Sequence, residues 1–297
     1  MKFIQNSKNN EIVSNFVIDA TGRFSSSSKW MIEIGLETSI EEEIKIDMGY
    51  TSMLFRPNKL YNEDRKALFV YPFAPNNTKY GAVVPIEQDE NGERYMVALS
   101  GCLEDHAPTN YDGFLKHAKN LANEKIYNFI KNSISISDFS SFKSPKNKRR
   151  YFEKLKNPPQ GIIALGDTVT VVNPIYGQGI TVIALEAKAL QKSLSSGLKN
   201  IEKRYYKNIT PVINIAWDVT SGEDFRYPQV IGKRNFKHKM QNIYSKQLFI
   251  LSGSNQKVWH CFAQVLHFVK HPINIFQPFM LYNVIKSFFD RNNTNKG

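Results

Sequence analysis

The sequence predicts a mixed α/β (α+β) fold, and three observations lead there. Short apolar runs separated by turn clusters fill the first third of the chain. A single strand–turn–helix unit stands at 161–195, and apolar residues at helical spacing run from there to the end. With 297 residues, 41% hydrophobic and 22% charged, the chain can bury a sizeable core, which excludes wholesale disorder.

Taken in order, Ile12 to Asp19 (IVSNFVID) reads as a short strand that ends in the turn Ala20-Thr21-Gly22. From Trp30 to Cys102 the pattern is β-rich, with strands expected at Ile44–Ile46, Lys66–Phe73, Tyr80–Pro85 and Tyr95–Leu99. Asn91-Gly92 between two of them is a hairpin signal, because both residues tolerate positive φ. An antiparallel sheet of about four or five strands is the simplest reading. Asp112 to Asn132 has helical spacing, and Ser140 to Arg150 (SSFKSPKNKRR) reads as a linker or edge strand whose basic cluster is a surface loop. Gly161 to Leu165 is a buried-type strand, and a helix from Ile180 to about Ser195 stops at Gly197. Beyond it the chain is helical, with breaks at Pro228, Pro272 and Pro278.

The net charge is +12, and ten Lys or Arg against the single acid Asp290 lie from Ile231 to Gly297. A solvated face accounts for such a tail, and so does contact with an anionic membrane surface. No run of eighteen apolar residues occurs, the first ten residues lack an apolar core, and Cys102 and Cys261 are the only cysteines. A cytoplasmic protein is the expectation, with peripheral contact at a membrane's inner face as the option its basic tail leaves open.

The segment that carries chemistry is Gly161 to Ala187, GIIALGDTVTVVNPIYGQGITVIALEA. A strand ends at Gly166 and sets Asp167 at its carboxyl edge, where ligands bind in open α/β sheets. A glycine-flanked turn then opens a helix whose first N–H groups suit an anion or an electron-rich carbonyl. Gly177 and Gly179 leave backbone bare for a planar ligand, and Asp167 is an acceptor for a sugar-like hydroxyl. Gly177-Gln178-Gly179 is not a dinucleotide pyrophosphate loop, since Val182 stands at the third glycine position and the turn lies eleven residues past the strand. On layout alone, a turn that serves only packing stays open.

G-D followed by N-P-x-Y-G-Q-G and an Ala-rich helix resembles the second flavin-binding motif of FAD-dependent monooxygenases of the aromatic-hydroxylase and squalene-epoxidase type. Val17 to Gly22 (VIDATG) resembles that family's D-A-T-G strand. Trp217-Asp218 through Gly222-Glu223-Asp224 to Arg226-Tyr227-Pro228 resembles a further stretch of a bacterial branch, with Ser221 in a Thr position. The resemblance implies a partial FAD-binding Rossmann-like domain at 1–22 and 156–200. It also implies an inserted, mostly antiparallel β-sheet substrate domain at 23–155 and a helical C-terminal region at 201–297.

By position, it implies that Asp167 hydrogen-bonds the ribityl chain of FAD, with Gly166 beside it among the cofactor-binding residues. Pro174, Gly177, Gln178 and Gly179 line the isoalloxazine, and Thr21 and Gly22 lie near the nucleotide. The oxygen chemistry is then the cofactor's own, so no catalytic acid or base is assigned. The implied partners are an apolar or aromatic small molecule and NAD(P)H or a reductase as electron donor, with no nucleic acid. Family members carry a strand, G-x-G-x-x-G and about a hundred further residues before D-A-T-G. The expectation is therefore the C-terminal two-thirds of such a protein, as a mis-started frame, a split protein with a separate N-terminal half, or a remnant.

The rival readings are an inactive remnant, a peripheral membrane or partner-binding protein, and a prenyl-chain reductase. A halogenase is not expected, since W-x-W-x-I-P is absent. His267 and His271 at i, i+4 are a weak metal pair cut short by Pro272, and Tyr71, Phe73 and Tyr80 are candidates for an apolar pocket.

Overall fold

The computed structural model describes residues 2–58, 67–72 and 74–294. Lys66 and Phe73 lie outside the described residues. The strands are β1 (Lys2–Gln5), β2 (Lys8–Glu11), β3 (Val17–Asp19), β4 (Glu41–Pro57), β5 (Leu68–Val70), β6 (Lys79–Asp89), β7 (Gly92–Gly101), β8 (Ser133–Ser135), β9 (Ser140–Arg150), β10 (Ile162–Ala164) and β11 (Thr170–Val171). The helices are α1 (Ser27–Glu33), α2 (Tyr111–Lys119), α3 (Lys125–Lys131), α4 (Gly179–Leu194), α5 (Ile201–Asp224), α6 (Phe236–Ser252), α7 (Gln256–Leu266) and α8 (Pro278–Thr294). The fold is mixed α/β. The chain forms two compact units, one of 1–43, 148–222 and 236–297, the other of 44–147 and 223–235.

The second unit is built on an antiparallel sheet ordered β9–β4–β7–β6–β5, with β8 beside β4. Alternation decides its faces: Tyr95, Val97 and Leu99 of β7 are buried two residues apart. They pack with Phe55 and Val83 against Phe114, Ala118, Ile126 and Ile130 of α2 and α3. Each large apolar side chain so buried stabilises the fold by roughly 1.5–3 kcal/mol. A hairpin forms at Asn91-Gly92, but Asp89 lies opposite Gly92, so the loop is Glu90-Asn91 and of the two signal residues only Gly92 takes a positive φ, 107°. Tyr80 is buried in this unit, whereas Tyr71 stays exposed.

Three expectations need correction. The helix expected over 112–132 is two helices, because Asn120 caps α2 and the Asn123 side chain accepts the Lys125 N–H to start another. Of Ile12–Asp19 only β3 forms, and Val13 is 91% exposed with no strand beside it. The polar start forms the β1–β2 hairpin, whose turn residues Asn6 and Ser7 take φ of 50° and 60°, the left-handed pair that matches strand twist. The basic end of β9 is no surface loop: Arg149 and Arg150 are buried. Their charges are answered by Glu153 at 2.5 Å and Glu41 at 2.9 Å. Lys148 sits 2.8 Å from Glu41 and 3.1 Å from Glu43.

In the first unit β3 and β10 lie side by side in parallel, with Val17 opposite Ile162 and Asp19 opposite Ala164. Ile163, Val169, Val182, Leu190, Tyr206 and Ile213 form the core around them, and Phe152 stacks on Tyr206 at 5.4 Å. The helix expected over 180–195 is α4, and Gly197 follows it at φ 81°. α7 ends at Leu266, so His267 and His271 do not share a helical face. Among the described residues no cluster of three or more metal-ligating side chains occurs.

One glycine in the sheet is fixed by close approach. A Cβ on Gly101 would lie 1.8 Å from the Asp105 carbonyl oxygen. Gly101→Ala is expected to destabilise the protein by at least about 2 kcal/mol. Urea unfolding checks this, and an unchanged midpoint would show that the backbone yields there at no cost.

Candidate functional site

The candidate site is assembled where two strands end. The Val17 N–H donates to the Gly161 carbonyl at 2.7 Å, and the Leu165 N–H donates to the Asp19 carbonyl at 2.9 Å. These bonds bring the Asp19-to-Gly22 turn against Gly166–Thr168. There the Gly22 N–H donates to Thr168 Oγ1 at 3.0 Å, across 146 residues of sequence. A Cβ placed on Gly22 would lie 3.8 Å from the Asp167 Cβ.

The first turn is held by its own aspartate. Asp19 Oδ1 accepts from the Thr21 N–H at 3.0 Å and from Thr21 Oγ1 at 2.6 Å, while Oδ2 accepts from Ser25 Oγ at 2.5 Å. This is the Asx geometry that lets an aspartate bond the backbone two residues on. Asp19 is thereby used up as a structural group. Asp167, by contrast, keeps its side chain about one-third exposed, with Arg23 at 3.6 Å.

The second turn leads to α4. The Asn173 side chain accepts the Ile175 N–H at 3.1 Å, Pro174 opens the turn, and Gly177 closes it at φ 65°. That left-handed angle strains any residue with a Cβ. No side chain caps the start of α4, so its first N–H groups keep their partial positive charge. A Cβ on Gly177 or Gly179 meets nothing within 4 Å among the described residues, so the backbone there faces open space. Gln178 turns inward instead. It is 3% exposed, its Nε2 donates to the Leu266 carbonyl at 3.3 Å, and its Oε1 has no partner.

Of the expected residues, Thr21, Gly22, Gly166 and Asp167 meet at the two strand ends, and Pro174, Gly177, Gln178 and Gly179 form the turn into α4. A groove of about 490 Å³ lined by Leu185, Lys188 and Lys192 lies further along α4, away from these residues.

Sequence reasoning passed over Arg23, Thr168 and Glu186. Glu186 had a readable signal: it lies four residues from both Val182 and Leu190, on the buried face of α4. Its Oε2 accepts from the Gly166 N–H at 2.6 Å, which fixes the strand-end turn from below. Burial pushes its carboxyl up to about 7, against the opposing pull of the Gly166 hydrogen bond and the Arg149 charge.

A raised acid favours the folded state while protonated, so its stabilising effect is full below pH 4.5 and is lost as pH rises through about 7. Glu186→Gln keeps an acceptor for Gly166 and has no proton to lose. It should match wild type at pH 4.5 and exceed it in unfolding free energy at pH 8, by at most about 3 kcal/mol. Equal stability at both pH values, read by urea titration, would mean that Glu186 is not held neutral.

No family model matches the chain. It is 25% identical to the Mycobacterium tuberculosis protein Rv3254 over 186 residues, 62% of this chain and 38% of that one. A flavoprotein/dehydrogenase of Cytophaga hutchinsonii matches 98% of this chain and 65% of its own, with a TM-score of 0.61 at 15% identity. The flavin-dependent brominase Bmp2 matches 97% of this chain and 66% of its own, with a TM-score of 0.57 at 14% identity. The halogenase PltM, solved in complex with FAD, matches 90% of this chain and 52% of its own, with a TM-score of 0.50 at 14% identity. The chain thus spans less than two-thirds of the mycobacterial relative and at most about two-thirds of each of these structures. At such identities the likeness is one of fold alone, shared with this flavoprotein/dehydrogenase and these flavin-dependent halogenases.

Proposed function

We propose that this chain is the FAD-handling part of a flavin-dependent oxidoreductase of the monooxygenase kind. The observation that carries the reading is the meeting of the D-A-T-G and G-D strand ends at one sheet edge, beside an uncapped helix start. The residues present fit the group. Gly177 and Gly179 offer bare backbone that a Cβ would fill, the N-terminus of α4 favours negative charge, and Asp167 is a partly exposed acceptor. Asp167 would hold the ribityl hydroxyls, Pro174 and Gly177 to Gly179 would lie along the ring system, and Thr21 and Gly22 would approach the nucleotide end. FAD supplies the redox and oxygen chemistry when bound. The chain's own residues orient the ring and stabilise charge near its pyrimidine edge. The substrate class is an apolar or aromatic small molecule, with reducing equivalents from NAD(P)H or a reductase.

The sheet edge also indicates where further nucleotide contacts would join. In the parallel pair Val17 and Asp19 bond toward β10, so the Ile18 N–H and C=O point to the opposite side. The far edge of β10 is closed, since its Ala164 N–H donates to the Tyr206 hydroxyl at 2.9 Å. A strand carrying a pyrophosphate loop would therefore add at β3, from whichever polypeptide supplies it.

Titration of the purified chain with FAD, followed by flavin fluorescence and the visible spectrum, is expected to show binding. Asp167→Ala should weaken it about tenfold, the loss of one charge-assisted hydrogen bond. Gly179→Leu puts a side chain into the open seat without straining the helix, and should abolish binding at unchanged thermal stability. A chain that ignores FAD would overturn the reading, and full affinity in Gly179→Leu would overturn the placement.

A further inference from the structure

We infer that the outer face of α8 docks on an anionic lipid surface, lying in its plane. α8 packs inward through Met280 and Val284, which join Leu248, Val258 and Phe262 of α6 and α7 in a closed core. The helix is apolar on more than that side. Leu281, Ile285 and Phe288 recur at spacings of four and three, flanked by Tyr282 and Phe289, so the five share one arc of the helix. All five are exposed, Phe289 at 66%, Tyr282 at 64% and Ile285 at 55%. Isolated exposed apolar residues need no explanation, but a stripe over two helical turns does. Phe276 and Ile273, in the turn that leads into α8, are exposed as well, at 48% and 65%.

Charge selects the occupant. Not one Asp or Glu occurs from 225 to 289, and residues 236–297 hold eight Lys or Arg against Asp290 alone. Lys286 is exposed next to Tyr282 on the helix surface, where its stem can lie along the apolar stripe and its ammonium reach a phosphate. An apolar stripe with a lysine at its border, in a stretch of chain poor in acids, is the pattern of a helix that rests at a bilayer interface, sinking side chains among acyl chains while the ammonium meets anionic headgroups. A second copy of the chain would bring two positive surfaces together with Asp290 alone to offset them. Nucleic acid would engage the lysines and leave Leu281 and Ile285 in water. No described helix is long and apolar enough to cross a membrane, so the contact is a lying one.

The test uses the full chain and vesicles of phosphatidylcholine alone or mixed with phosphatidylglycerol. Co-sedimentation should occur with the mixed vesicles and weaken as salt is raised. Changing Ile285→Asp together with Phe289→Asp should lower partitioning by about tenfold or more while leaving the circular dichroism spectrum unchanged, since neither side chain is in the core. Partitioning that the double variant leaves intact would overturn the proposal. So would failure to bind mixed vesicles, a dimer in sedimentation velocity that the double variant dissociates, or binding of single-stranded DNA without binding of vesicles.

Discussion

The parallel pairing of β3 with β10 is the constraint on which the candidate site depends. Parallel neighbours cannot be joined by a tight turn, so the chain must leave β3 and return before β10 can be laid down. Here the excursion takes in β4 to β9 of the antiparallel sheet with α2 and α3. The two strands bring their carboxyl ends to the same edge, and everything chemical in the first unit follows: the Asp19-bound turn, Thr168 under Gly22, and the start of α4.

What stabilises that edge is mostly buried polar contact. The Glu186 carboxyl under Gly166, the Arg150 guanidinium on the Thr168 carbonyl at 2.7 Å and the Tyr206 hydroxyl on Ala164 each answer a main-chain group that the short strands leave unpaired. Two three-residue strands offer few ladder bonds, so side chains from β9, α4 and α5 do the rest. The cost is visible in Glu186, which burial holds near the neutral form.

The C-terminal helices follow a different logic. Their inner residues close a small apolar core of Leu248, Phe262, Met280 and Val284. Apolar area left on the outside of α8 adds nothing to that core. A chain that keeps such residues outside, beside Lys286 and in a stretch poor in acids, has the makings of an interfacial contact surface.

The sequence by itself determined the elements whose signal is local. The alternation of Tyr95, Val97 and Leu99 made β7, Asn91-Gly92 made its hairpin, and Gly161 to Gly197 spelled out β10, the turn and α4. Those patterns rest on backbone sterics and side-chain period, which act over a few residues. Tertiary structure alone decided that Arg149 and Arg150 are buried, that residues 12–16 form no strand, and that Arg23, Thr168 and Glu186 attend the two strand ends. Burial of a charge depends on a partner distant in sequence, such as Glu41 for Arg150 across 109 residues, and no local pattern announces it.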